Sequence, residues 1–183
     1  MVNGALRLTR VQRTAVDGML CALGVVGRVA LAALPNVQPV TAIIILTAIY
    51  IGVWDSVAAA VVIVLVTNLI LGFGVWSLYQ MAAWALIGIL SALLFRRRRH
   101  PLAVTGWSAA CGFGFGAFVS VFSWNAISTG AASGYLVYWL AGLPTDAYHA
   151  VGNAVFTWFL IPLFERVMRR GSSEKDGRPD GGA

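Results

Sequence analysis

The basic residues of this 183-residue chain fall into three clusters, and their placement limits what the chain can fold into. Arg7, Arg10 and Arg13 come first, Arg96, Arg97, Arg98 and Arg99 form one block, and Arg166, Arg169, Arg170, Lys175 and Arg178 close the sequence. Long apolar runs separate the clusters. With 59% hydrophobic and only 11% charged residues, against about 25% charged in a soluble domain, the chain reads as an integral membrane protein. In a bilayer, basic loops stay on the cytoplasmic side, so an even number of crossings must separate each pair of clusters. At about 20 residues per span, Ala15 to Phe95 accommodates four crossings and Pro101 to Met168 two. The expected fold is an all-α bundle of six transmembrane helices with both termini cytoplasmic. It forms a single domain over residues 1–170, followed by a disordered polar tail over 171–183.

The net charge of +6 then belongs to topological anchors and lipid headgroup contacts, and nucleic acid is not an expected partner. The segment before the first apolar run is basic and polar, without the h-region and cleavage site of a signal peptide, so that run is expected to remain in the chain. Cys21 and Cys111 lie within apolar runs, which favours small buried side chains over a disulfide or metal pair.

Turn signals divide the runs. Helix 1 is expected from about Val16 to Leu34, ending at an outer turn, PNVQP, punctuated by Pro35 and Pro39. Helix 2 covers about Val40 to Trp54 and meets helix 3, about Ser56 to Leu71, at Asp55. An outer loop, GFGVWSLYQ, precedes helix 4, about Met81 to Phe95. Helix 5 covers about Leu102 to Trp124 and helix 6 about Ala147 to Met168. Between these two lies a long outer segment from Asn125 to His149, with a short helix at Tyr135 to Leu140.

On that topology the hydrogen-bonding side chains of the membrane region gather in the outer half. Arg28 is the one basic residue outside the clusters, and a charge within hydrocarbon normally faces a partner or a water-filled cavity. Asn36 and Gln38 lie in the first outer turn and Asn68 near the end of helix 3. Trp76, Tyr79, Gln80 and Trp84 surround the second outer loop; Tyr135, Tyr138, Asp146, His149 and Asn153 surround the third. Apolar and aromatic walls with a few convergent polar groups are the composition of a small-molecule site, although an aromatic belt at the interface accounts for single Trp and Tyr residues. Arg28 is expected to contact ligand, to pair with Asp146, or both. In the inner half, Gly18 and Ala22 on helix 1 and Gly112 and Gly116 on helix 5 are small residues four apart, a pattern that either packs the bundle or docks another membrane subunit.

No Walker A sequence, HExxH, GxSxG or Cys/His cluster is present, so no enzyme, metal site or cofactor is expected, and ATP hydrolysis would have to come from elsewhere.

The segments RVALAALPNVQPVTAI, GFGVWSLYQMAAWALIG and DAYHAVGNAVF, in that order and spacing, resemble the substrate-binding S component of energy-coupling factor (ECF) transporters. LPNVxPVTA and W-x-x-x-Q-M-x-A-W carry most of the likeness, and the cobalamin-type branch is the most similar. The resemblance implies a multi-pass subunit of a bacterial cytoplasmic membrane that captures a vitamin outside the cell. It would deliver that vitamin inward with a transmembrane coupling subunit and two cytoplasmic ATPases, the coupling subunit docking at Gly18 and Ala22. Cobalamin is the favoured ligand; pantothenate, whose carboxylate would engage Arg28, and folate are the alternatives. A reading of another class is a cell-envelope scaffold similar to the MreD type, which would bind no ligand.

Overall fold

The computed structural model describes residues 9–127 and 132–173, with side chains described for 9–125 and 134–167. Among the described residues all regular structure is helical: α1 (Arg10–Ala30), α2 (Val40–Tyr50), α3 (Val53–Leu71), α4 (Trp76–Leu94), α5 (Pro101–Ile127) and α6 (Ala132–Ser173). Four of them, α3 to α6, are long and apolar enough to cross a membrane. Most of the expected tail, from residue 174 on, lies outside the described residues.

Local chemistry sets each boundary. Thr9 caps α1 through a capping box with Gln12, so the helix begins at Arg10, six residues earlier than its apolar run suggests. It ends at Ala30, and residues 31–39 pass through an irregular stretch in which Asn36 adopts a left-handed conformation (φ 56°) that asparagine tolerates better than most residues. Gly72 stops α3 with φ 119°, a conformation open to glycine.

Three sequence expectations are corrected here. Helix 2 is not a span reaching Trp54. Ile51 N–H and Gly52 N–H both donate to Thr47 O, which ends α2 at Tyr50 and moves Asp55 from a turn into the first turn of α3. The resulting 11-residue helix is about 17 Å long at 1.5 Å per residue, short of the roughly 30 Å of hydrocarbon. The second outer loop is likewise shorter than expected: α4 starts at Trp76, so Tyr79 and Gln80 are helical. Finally, the long outer segment before helix 6 is helix from Ala132 onward and runs unbroken through Pro144 and Pro162. Its 42 residues would extend about 63 Å.

α2 forms the axis of the bundle and contacts every other helix. Of its residues, Val40 to Ile49 are all buried, and Ile44, Ile45 and Leu46 have no exposed surface. The other helices bury one side only, and Leu69, Leu93, Val137 and Phe159 are among the many apolar side chains they leave exposed, as a bilayer requires. α5 and α6 pack most extensively. Glycine makes this possible: a side chain on Gly112 would run into the Ala150 backbone, and one on Gly116 would overlap the Asp146 carboxylate. Gly112 and Gly116 therefore pack α5 against α6 within the bundle.

Successive helices run in alternate directions, which sorts the polar residues by end. Arg13 of α1 pairs with Asp55 of α3, its Nε 2.6 Å from Oδ1. Tyr50 at the end of α2 reaches Glu165 of α6 at 3.4 Å, and Arg99, before α5, lies over the Tyr50 ring. These contacts put the described basic residues of all three clusters at one end, and only Arg28 among the described arginines lies toward the other.

Candidate functional site

Arg28 occupies the last turn of α1. Its Nη1–H donates to Thr67 Oγ1 of α3 at 2.7 Å, and its Nη2–H donates to Gln80 Oε1 of α4 at 3.0 Å. The guanidinium carbon lies 5.2 Å from the centre of the Trp84 ring, within cation–π range. No ion pair with Asp146 forms. α6 turns that carboxylate against Gly116 of α5, so Arg28 is held entirely by neutral groups.

Those neutral groups are themselves fixed. Thr67 Oγ1 donates to the Ile63 carbonyl one turn back at 2.7 Å, leaving its lone pairs for Arg28. Gln80 Oε1 also accepts from Asn68 Nδ2 at 2.9 Å, and the same Asn68 nitrogen donates to Ser77 Oγ at 2.8 Å. On the other side of Trp84, its Nε1–H donates to Thr41 Oγ1 at 2.9 Å, and that oxygen lies 3.0 Å from His149 Nε2. Phe115 closes this side, its ring 4.6 Å from Trp84 and tilted 34° to it, and edge-on to His149. One connected network therefore joins side chains from α1, α2, α3, α4 and α6. In a low-dielectric interior such a network holds its members in one geometry because every broken bond leaves a buried polar atom unpaired.

Below it, Asn153 Nδ2 donates to the Ser108 carbonyl at 3.2 Å and Thr157 donates to Ser108 Oγ at 2.7 Å, all in residues without exposed surface. His149 Nδ1 and Asn153 Oδ1 have no protein partner.

Above the network opens a cleft of about 310 Å³ lined by Arg28, Leu31, Ala32, Leu34, Asn36, Val37, Gln38 and Leu71. Its wall is the irregular 31–39 stretch, which descends into the bundle. Pro39 fits against Gly27 of α1, where an added side chain would collide with its ring, and Val37 packs near Gly152 of α6. Gln38 and Pro39 are buried, and Gln38 Nε2 reaches Asn36 Oδ1 at 3.4 Å.

The structure thus brings together Arg28, Asn36, Gln38, Asn68, Gln80, Trp84 and His149. It leaves others apart. Trp76 is 46% exposed at the start of α4. Tyr79 stacks on Phe122 at 4.8 Å, Tyr138 lies beside Trp124 at 5.5 Å, and Tyr135 reaches the Ala117 carbonyl at 3.4 Å, so these three tie α4, α5 and α6 together at the rim. Asp146 and Asn153 are buried between α5 and α6. Thr41, Thr67 and Ser77 were not anticipated as members of the network. Gly18 and Ala22 lie on an exposed face of α1, and a side chain on Gly18 would meet nothing within 4 Å.

Among the described residues no three His, Cys, Asp or Glu side chains converge as a metal ion would need. The arrangement is that of a binding site: a fixed cation, amide side chains and apolar walls around a cleft. No curated protein and no solved structure matches the chain. Residues 9–174 do match DUF6580, a family of unknown function, and the chain belongs to that family.

Proposed function

We propose that this protein is the solute-binding membrane subunit of an ECF-type importer in a bacterial cytoplasmic membrane, capturing a vitamin on the outer side. The observation that carries the reading is Arg28, a cation in the membrane region held only by neutral side chains and facing a cleft at the end away from the arginine clusters. A residue so costly to bury is kept in membrane proteins chiefly for a substrate or ion path. In this reading all six helices cross, with both termini cytoplasmic. The second crossing is completed by residues 31–39, whose irregular backbone is tolerable at membrane depth because protein surrounds it.

Energy would come from a coupling subunit and two ATPases. The face of α1 around Gly18 and Ala22 suits docking, since no described residue covers it. The cleft lies at the small end of the roughly 300–1,000 Å³ range of ligand pockets, which favours a ligand of pantothenate's size over cobalamin.

The test is calorimetric titration of the purified protein with pantothenate, cobalamin and folate in parallel, together with co-purification of partners. Binding of one vitamin and recovery of a coupling subunit with two ATPases support the reading. Absence of binding in folded protein, with no ATPase recovered, sinks it and favours an MreD-like scaffold. Gly18→Leu should abolish uptake in cells while sparing binding by the isolated subunit; loss of binding would place Gly18 in internal packing.

A further inference from the structure

We infer that the ligand taken by this cleft is a small organic anion whose carboxylate is received by the Arg28 guanidinium. The inference rests on the solute-binding reading above and names the chemical class of what is bound.

Three features converge on a negative charge. A guanidinium has five N–H donors in a planar fork suited to a carboxylate, and two of them are used by protein acceptors, Thr67 Oγ1 and Gln80 Oε1. Both acceptors are neutral, so the positive charge itself is uncompensated. The Asp146 carboxylate lies against Gly116 rather than near it. The second feature is the cleft, which places Arg28 among apolar side chains with Asn36 and Gln38 as the other polar groups of its lining, so no acidic residue competes for the site. The third is the start of α2. Pro39 supplies no N–H, no side chain caps the helix, and the amides of Val40, Thr41 and Ala42 have no backbone acceptor, in residues with no exposed surface. The positive end of that helix adjoins Gln38 in the cleft wall and adds to the field favouring an anion. A neutral ligand would leave the charge uncompensated, whereas a carboxylate would neutralise it.

The test uses the full chain in detergent and three acids, each paired with an uncharged analogue: pantothenate with panthenol, nicotinate with nicotinamide, and biotin with biotinamide. Cobalamin serves as a large ligand without a carboxylate. The expected result is that one acid binds and its uncharged analogue binds at least about 100-fold more weakly. Arg28→Gln should bring the two within a few-fold of each other, and Arg28→Lys should retain part of the preference. If Arg28→Gln does not fold, the wild-type acid-to-analogue ratio decides alone. Equal binding of an acid and its analogue, or binding of cobalamin with every acid silent, overturns the anion while leaving the solute-binding reading intact. Silence from every compound, in protein shown to be folded, overturns both.

Discussion

The two ends of the bundle treat charge in opposite ways. At the arginine-rich end, Arg13 meets Asp55, Tyr50 reaches Glu165, and the Arg13 side chain is 45% exposed. At the other end, Arg28 has no carboxylate and sits in a network that includes the fully buried Trp84, Thr41 and His149. A bidentate pair such as Arg13–Asp55, half-exposed at the arginine and 11% exposed at the carboxylate, returns on the order of 1 kcal/mol and fixes orientation. An uncompensated cation of the second kind brings no such return, which is why the second end holds the candidate site.

The contrast makes graded predictions. Trp84→Ala should be the most damaging single truncation, destabilising the fold by about 3–5 kcal/mol as expected for a large buried aromatic, measured as the shift in unfolding free energy in detergent. A loss near that of an exposed tryptophan such as Trp54 would show that the network end is not the stability core. Gly112→Val should follow at about 1–3 kcal/mol, because the new side chain meets the Ala150 backbone, and α5 and α6 should separate in a cross-linking assay. Thr41→Val keeps the shape but deprives both Trp84 and His149 of a partner, so a cost of about 1–3 kcal/mol is expected. Asp55→Asn should cost no more than about 1 kcal/mol and leave ligand affinity unchanged. High salt should shrink the Asp55→Asn effect further; an altered affinity would mean that the two ends are coupled.

Much of this arrangement was legible in the sequence. The clusters fixed which helix ends lie together, and Arg28, Asn68, Gln80 and Trp84 stood out because charged, amide and indole groups are rare within apolar runs. What the sequence hid has physical causes. Gly, Ser and Pro between Asn125 and Asp146 read as a loop by the rules of aqueous proteins. In a bilayer, a helix keeps its backbone N–H groups bonded and can absorb a proline, so α6 continues through Pro144. The sequence overextends α2 because the run stays apolar from Tyr50 to Trp54 apart from Gly52; the stop comes from two amides, one of them Gly52's, converging on one carbonyl, Thr47 O. Thr41, Thr67 and Ser77 escaped notice because a hydroxyl in an apolar helix commonly bonds its own preceding turn, as Thr67 does to Ile63, and its second bond depends on which helix faces it. The Arg28–Asp146 pair failed for the same reason: the register of α6 on α5, set at Gly116, decides where the carboxylate goes.

The shortness of α2 also bears on how the chain is made. A helix of about 17 Å flanked by irregular backbone has no resting place of its own in hydrocarbon, since its ends would leave amides and carbonyls facing lipid. During synthesis it emerges before α3 to α6, the helices that surround it. Its burial on every side is therefore complete only once those later segments have packed around it. The centre of the protein depends on the parts of the chain made after it.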